Sequence, residues 1–211
     1  MSRQQTVLEP GSKVIAFPGN KIQIVLTPRI LGKGQYGQVH YGYLKDNPEK
    51  IYAVKVIDKK RIRGKVHDLL TNEIEIMTEI QDKHVVGLIC GTKTVSNYYL
   101  VLEHCNGGDL DCLLKARRGY LTEPEVRLIL KQLVLGLLAI KEKNVIHRDL
   151  KLSNILMHFP TLTKEETMSP SFDLKQFLGE VALAPSSQGQ EAFPFDVKIA
   201  DLGFSRKLEE G

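Results

Sequence analysis

The hydrophobic pattern of the first half of the chain consists of short runs. Apolar and β-branched residues come in groups separated by turn residues, which is typical of strands. The predicted strands are 24–31, 38–44, 52–57, 87–92 and 98–103. The stretch 68–80 instead has helical spacing, with an apolar stripe made of Leu70, Ile74, Met77 and Ile80. This order predicts a five-stranded lobe with one main helix, preceded by a loosely ordered extension at residues 1–23 that contains Pro and Gly.

The second half is dominated by one long amphipathic pattern. The sequence Thr122-Glu123-Pro124-Glu125 has the form of a capping box, which marks the start of a helix. Apolar residues then recur at helical spacing: Val126, Ile129, Leu130, Leu133, Val134, Leu137 and Leu138. They fall on more than one face, so we expect the helix to need cover on several sides. A row left uncovered would favour aggregation.

The segment 158–194 differs from its surroundings. It is rich in Pro, Ser and Thr, which predicts a mobile insert. Four apolar residues within it, Leu174, Phe177, Leu178 and Val181, could line one face of a short helix that docks a regulatory partner. The alternative, which the composition favours, is a frayed loop that carries a few apolar residues.

Composition narrows the class of protein. The net charge of +4 is too mild to indicate nucleic-acid binding, and the basic run at 59–65 fits a solvated loop better than a nucleic-acid or lipid patch. The longest apolar stretch, 133–140, falls far short of the roughly 20 residues of a membrane span. The N-terminus lacks a signal core. Three cysteines without metal-type spacing indicate reduced thiols. We therefore expect a cytoplasmic protein with no integral membrane segment, with the nucleus as the alternative.

Five motifs follow one another along the chain. They are Gly32-Lys33-Gly34-Gln35-Tyr36-Gly37-Gln38-Val39, Ala53-Val54-Lys55, Glu73, His147-Arg148-Asp149-Leu150-Lys151-Leu152-Ser153-Asn154 and Asp201-Leu202-Gly203. In this order the set resembles the signature of the eukaryotic protein kinases. The resemblance runs from about residue 24 to 206. It implies an α+β, bilobal fold, with a small lobe at 24–102 and a hinge and partial, mostly helical large lobe at 103–211. Asn154 and Asp201 lie 47 positions apart, where kinases need about a dozen, and the insert at 158–194 accounts for the excess.

The resemblance assigns a role to each charged residue. Lys55 would hold the α- and β-phosphates of ATP, and Glu73 would hold Lys55, with Glu75 and Glu79 as rivals on the same helix. Asp149 would accept or orient the proton of the attacking hydroxyl, and Lys151 would neutralise the phosphoryl group in transfer. A magnesium ion would be held by Asn154 and Asp201. Lys151, two residues after Asp149, is the pattern of serine/threonine kinases.

The resemblance also implies the residues that contact the nucleotide. Three glycines without side chains would let a strand–turn–strand close over the phosphates. Leu102 would guard the back pocket, the backbones of Glu103 and Cys105 would bind adenine, and Asp109 would accept from the ribose hydroxyls. The full set predicted to bind ATP, between the two lobes, is Leu31, Gly32, Gly34, Gly37, Val39, Ala53, Lys55, Leu102, Glu103, Cys105, Asp109 and Leu156.

Two short segments point to a subfamily. Residues 104–110 and 197–206 look most like the autophagy-initiating serine/threonine kinases, with the calcium/calmodulin-dependent group as the near rival. Leu202 departs from the usual Phe, and Leu152 from a usual Pro, but Asp201 is intact. Arg148 before Asp149 suggests control by a phosphorylated activation segment.

We therefore predict an ATP- and magnesium-dependent kinase that phosphorylates serine and threonine of protein substrates. The Ala-Pro-Glu motif that ends an activation segment does not occur before Gly211, so we expect a fragment of a longer enzyme that could be inactive alone. The alternative is a nucleotide-binding regulatory module without catalysis.

Overall fold

A computed structural model describes residues 8–34, 37–62, 64–183 and 194–208. Two compact units are distinguished in it. One comprises Met1–Gly64 and Leu88–His104, and the other comprises Lys65–Gly87 and Cys105–Gly211. In the part of the chain that is described, no helix combines the length and the apolar character that crossing a bilayer requires.

The first unit is built on an antiparallel sheet of six strands. These are β1 (Lys13–Phe17), β2 (Ile22–Lys33), β3 (Gly37–Leu44), β4 (Asn47–Asp58), β5 (Leu88–Lys93) and β6 (Asn97–Glu103). The order across the sheet is β1-β2-β3-β4-β6-β5. One core cluster comes from one face of the sheet and contains Phe17, Ile24, Leu26, Val54, Cys90, Tyr99 and Val101.

The prediction of five strands preceded by a loose extension at residues 1–23 is wrong in one respect, because β1 forms within that extension and is a sixth strand of the sheet. β1 pairs in register with β2, from Lys13 opposite Leu26 to Phe17 opposite Ile22. The apolar residues of β1 are few, but Phe17 is buried in the core cluster. Burial of one aromatic side chain contributes on the order of 2–3 kcal/mol. That contribution and the ladder hydrogen bonds order a strand too short to recognise from its pattern.

The second unit contains five helices within the described ranges. These are α1 (Lys65–Glu79), α2 (Leu110–Ala116), α3 (Glu123–Glu142), α4 (Lys164–Met168) and α5 (Leu174–Glu180). Two small antiparallel pairs accompany them, β7 (Val145–Ile146) with β10 (Arg206–Lys207), and β8 (Ile155–His158) with β9 (Asp196–Ile199).

The long helix α3 starts where the sequence predicted. The Glu125 carboxylate accepts from the backbone N–H and the hydroxyl of Thr122, each at 2.8 Å, as a capping box requires. Its buried face includes Ile129, Leu133 and Ile140. A second apolar row stays exposed in this unit: Val126, Leu130, Val134 and Leu138.

The inserted segment corrects a second expectation. The interpretation of residues 174–181 as a frayed loop is wrong, because Leu174–Glu180 form α5, which packs against α2. Asp173 caps α5 by accepting from the backbone of Lys175 and Gln176 at 2.8 and 3.1 Å. Leu178 and Leu183 are fully buried. The predicted mobility of 184–193 lies outside the described residues.

Candidate functional site

The loop after β7 brings together two of the predicted catalytic side chains, Asp149 and Lys151, and one predicted metal ligand, Asn154. Asp149 Oδ2 accepts from Lys151 Nζ at 2.8 Å and from Asn154 Nδ2 at 2.9 Å. Asn154 Nδ2 also donates to the backbone carbonyl of Asp149 at 2.9 Å, which closes the loop on itself. The hydrogen bond from Lys151, followed by that from Asn154, holds the pKa of Asp149 below its usual range although partial desolvation opposes it. Asp149 is therefore a carboxylate at neutral pH.

Strand pairing brings the Asp201 motif beside this loop. Ile155 pairs with Ile199 at the start of the β8–β9 ladder, and Ala200 N donates to Asn154 O at 2.8 Å. Residues 47 positions apart in sequence thus become neighbours through the ladder. The Asn154 amide uses its nitrogen for Asp149, so its oxygen Oδ1 is the atom that could serve as a ligand. This pairing joins the two predicted metal ligands.

Arg148, which precedes the predicted catalytic Asp149, and Asp201 both adopt left-handed backbone conformations. Arg148 has φ of 64° and Asp201 has φ of 60°, which is uncommon outside glycine and is found mostly where surroundings fix it. The His147 ring, which is buried, lies with Nε2 3.0 Å from Ala200 O. Arg148 Nε donates to Phe204 O at 2.6 Å. These contacts fix the backbone on both sides of Asp149 and Asp201.

Helix α1 supplies the predicted glutamate to the same unit. Glu73 is only 4% exposed, whereas Glu75 is exposed and Glu79 pairs with Lys207 at 2.8 Å. The buried face of α1 runs through Leu70, Glu73, Ile76, Met77 and Ile80, so Ile76 replaces Ile74 of the predicted stripe. A buried carboxylate needs compensation, so this geometry favours Glu73 over its rivals.

Gly203 lies between two of the predicted carboxylates. A Cβ added at Gly203 would sit 3.2 Å from Asp201 Oδ1 and 3.4 Å from Glu73 Oε2. A larger residue there would push against both groups. Leu202 is 1% exposed, so the leucine that departs from the usual phenylalanine is a core residue of this unit.

In the first unit, the predicted glycine loop joins β2 to β3, and its glycines Gly32, Gly34 and Gly37 are described. Gly34 N donates to Gly37 O at 2.9 Å, and Gln35 and Tyr36 lie outside the described residues. A Cβ on Gly37 would fall 1.9 Å from the carbonyl oxygen of Val56, so no side chain fits there. Gly32 pairs with Val39 across the turn, and Leu31 beside it is exposed.

The sheet register places four predicted nucleotide contacts on one face of the first unit. Val39 is opposite Lys55, and Ala53 is opposite Leu102. Directly paired residues share a face, and residues two apart on a strand share it as well. Val39, Ala53, Lys55 and Leu102 therefore form one patch, with Glu103 at the end of β6.

The remaining predicted contacts belong to the second unit. Asp109 caps α2, with Oδ1 accepting from Cys112 N at 2.7 Å, and it forms an isolated bridge with Leu156. Cys105 is half-buried just before this stretch. Lys55 and Glu73 lie in different units, so their pairing stays a prediction.

Sequence reasoning missed Asn106. Its side chain binds three backbone groups of residues 159–162. An Asn followed by two glycines is a turn signal whose side chain commonly binds nearby backbone, and this signal could have found it.

The described residues thus carry the motif set of the protein kinases: a glycine-rich hairpin, a strand lysine, an Asp–Lys–Asn loop and Asp-Leu-Gly. A family model described as "Protein kinase domain" matches residues 26–211, and the chain belongs to the protein kinase family.

Three relatives illustrate where in the family the chain falls. It is 35% identical over 185 residues to the serine/threonine-protein kinase unc-51 of Caenorhabditis elegans, covering 86% of this chain and 19% of that protein. It is 34% identical over 182 residues to the serine/threonine-protein kinase ULK1 of Homo sapiens, covering 85% of this chain and 15% of that protein. It is 31% identical over 204 residues to the serine/threonine-protein kinase ATG1 of Saccharomyces cerevisiae strain ATCC 204508 / S288c, covering 84% of this chain and 21% of that protein. These relatives confirm the resemblance to the autophagy-initiating kinases. The matched region spans about a fifth or less of the length of each relative.

Proposed function

We propose that the chain carries the catalytic machinery of a serine/threonine protein kinase that uses ATP and magnesium. Membership of the family implies ATP as the phosphoryl donor. The observation that carries the proposal is the hydrogen-bonded cluster of Asp149, Lys151 and Asn154 beside Asp201. A purely regulatory nucleotide-binding module has no need of an ionised carboxylate held in this way.

The residues of the second unit fit a magnesium ion. Within the described ranges, no group of three or more His, Cys, Asp or Glu side chains is placed to hold a metal. Magnesium does not require one, since it is commonly held by one or two carboxylates together with substrate phosphates and water. Asn154 Oδ1 and the Asp201 carboxylate are oxygen donors of the right type. When bound, magnesium neutralises phosphate charge during transfer.

Three side chains of the chain orient the substrate and neutralise phosphate charge. Asp149 accepts the hydrogen bond of the substrate hydroxyl and orients its oxygen for attack on the γ-phosphoryl group. Lys151, whose side chain is 53% exposed and already bound to Asp149, brings a positive charge to the phosphoryl group. Lys55, on the face with Val39 and Ala53, binds phosphate oxygens. Substrates are serine and threonine hydroxyls of proteins, and the cytoplasmic location stays a prediction.

Phosphate incorporation into serine- and threonine-containing peptides tests the proposal. Asp149→Asn should lower transfer by roughly a hundredfold or more, because it removes the ionised acceptor. Affinity for Mg–ATP should stay within about threefold, because Asp149 acts on the hydroxyl rather than the nucleotide. Asp46→Asn, an exposed carboxylate in the β3–β4 turn, is the matched control.

A second measurement separates binding from catalysis. Lys55→Ala should weaken binding of a fluorescent ATP analogue, and equal affinity in both proteins would refute the role of Lys55. Because a fragment could be inactive alone, transfer is assayed with the chain inside a complete kinase domain, and a wild type that binds Mg–ATP there but transfers no phosphate would favour the regulatory module instead.

A further inference from the structure

The part of the insert that the structure describes is joined to the rest of the second unit near both of its ends. We call residues 159–183 the docked segment. It begins directly after β8 and contains α4 and α5. Phe159, Leu178 and Leu183 are buried, and the ring of Phe159 meets that of Phe177 edge-on at 5.0 Å between centroids. Such packing is inconsistent with a passive excursion from the fold.

One end of the docked segment is bound by Asn106. Asn106 Oδ1 accepts from Phe159 N at 2.7 Å, and Nδ2 donates to Phe159 O at 3.0 Å and to Leu162 O at 3.3 Å. Next to it, a Cβ on Gly107 would lie 2.5 Å from the Phe159 ring. The backbone of 106–107 therefore rests directly on Phe159.

The other end is bound through α5 and α2. A Cβ on Gly108 would lie 3.3 Å from Leu174 Cδ2, so α5 begins against the residue that precedes Asp109. Arg117 Nε donates to Leu178 O at 2.7 Å, and Arg117 Nη2 donates to Val181 O. Arg117 also pairs with the buried Glu125 at 3.1 Å. The Arg117 guanidinium, shared among these three acceptors, thus links α5 to the C-terminal end of α2 and to the start of α3.

These two sets of contacts enclose the stretch 106–117, which contains Asp109 at the N-cap of α2. We infer that the docked segment is a positioning element for Asp109, and that it sets how well the chain recognises the ribose of the nucleotide. Leu174 is the positioning residue, because its Cδ2 would lie only 3.3 Å from a Cβ on Gly108, the residue with φ of 68° that directly precedes Asp109. This inference rests on the proposed function together with the prediction from the sequence that Asp109 accepts from the ribose hydroxyls of ATP.

The preference for ATP over 2′,3′-dideoxy-ATP measures ribose recognition without requiring catalysis. One hydrogen bond to a charged group corresponds to roughly tenfold or more in affinity, so wild type should prefer ATP by about that factor. Asp109→Ser keeps a capping side chain and removes the carboxylate, and it should bring the two affinities close together. Leu174→Ala should lower the preference by roughly threefold or more. Lys175→Ala, the exposed neighbour of Leu174, should leave it unchanged.

Each result has one meaning. An unchanged preference in Asp109→Ser would refute the ribose assignment of the proposed function. A preference lost in Asp109→Ser but kept in Leu174→Ala would overturn the positioning role. If Leu174→Ala fails to fold, Leu174→Val, which removes less of the same side chain, takes its place. A merely structural role would lower the melting temperature of either variant while the nucleotide preference stayed as in wild type.

Discussion

Replacing Gly136, in the middle of α3, by alanine should destabilise the protein. Replacing glycine by alanine inside a helix normally stabilises a protein by about 0.5–1 kcal/mol, because the unfolded chain loses freedom. A Cβ at Gly136, however, would lie 2.7 Å from the carbonyl oxygen of His84 and 3.0 Å from Ile199 Cδ1. The oxygen belongs to the backbone and accepts from Ile199 N at 2.8 Å, so it cannot turn aside.

The steric effect should exceed the gain in helix propensity. Forcing an extra carbon into a packed contact costs about 1–3 kcal/mol, so we expect Gly136→Ala to lower the free energy of unfolding by about 1–2 kcal/mol. Gly179 in α5 is the matched control, because its Cβ would meet Ala116 O at an ordinary 3.6 Å. Gly179→Ala should be neutral or stabilising by up to about 1 kcal/mol.

Urea unfolding of the two variants and wild type measures both effects. The expected result is a lower midpoint with unchanged slope for Gly136→Ala and an equal or higher midpoint for Gly179→Ala. A Gly136→Ala protein as stable as wild type would show that α3 moves away from His84 without loss, and the close packing described above would then have no energetic weight.

Three further outcomes follow from the charges, thiols and surface. The hydrogen bond from Lys151 holds the pKa of Asp149 below its usual range, so Lys151→Met should raise that pKa. In a carbon-detected NMR titration from neutral to acidic pH, the Asp149 carboxylate should therefore begin to protonate at a higher pH in the variant than in wild type. Burial raises the pKa of Cys90 to about 11, so its thiolate fraction at pH 8 is on the order of one in a thousand, and iodoacetamide should label exposed Cys112 first; early labelling of Cys90 would contradict its burial. Leu130 and Val134 are 51% and 52% exposed, so Leu130→Lys should reduce light scattering from associated chains, whereas equal scattering would mean that this row does not drive association.

The strands and helices with strong periodicity could be predicted from the sequence. The predicted strand 52–57 lies inside β4, and the predicted strand 98–103 almost coincides with β6. β1 was missed because its stability comes from pairing with β2 and from one buried aromatic residue, and neither is visible in a five-residue pattern. The docked segment was misjudged for a related reason. Its composition is that of a loop, but its buried residues find partners elsewhere in the unit, such as Gly107.

In the candidate site, too, the residue types could be predicted from the sequence, whereas their tertiary contacts could not. The resemblance to the kinase motif predicted Asp149, Lys151 and Asn154 as a set, because kinases use each of these residue types for one part of phosphoryl transfer. How Asn154 comes beside Asp201 depends on the β8–β9 ladder, which the intervening residues concealed. The contact of Gly136 with His84 could not be predicted, since it depends on how closely α3 approaches a distant loop.

The β8–β9 ladder has a consequence for how this chain tolerates changes of length. His158 and Asp196 face each other at the end of the ladder, so the two ends of the chain that connects them are held at a fixed distance. The entropy of closing a loop grows with the logarithm of its length, and each doubling costs only about 0.6 kcal/mol. Residues can be added between these two positions while the pairing of Ile155 with Ile199 continues to set the distance from Asn154 to Asp201. The ladder therefore separates the geometry of the candidate site from the length of the chain that connects its parts.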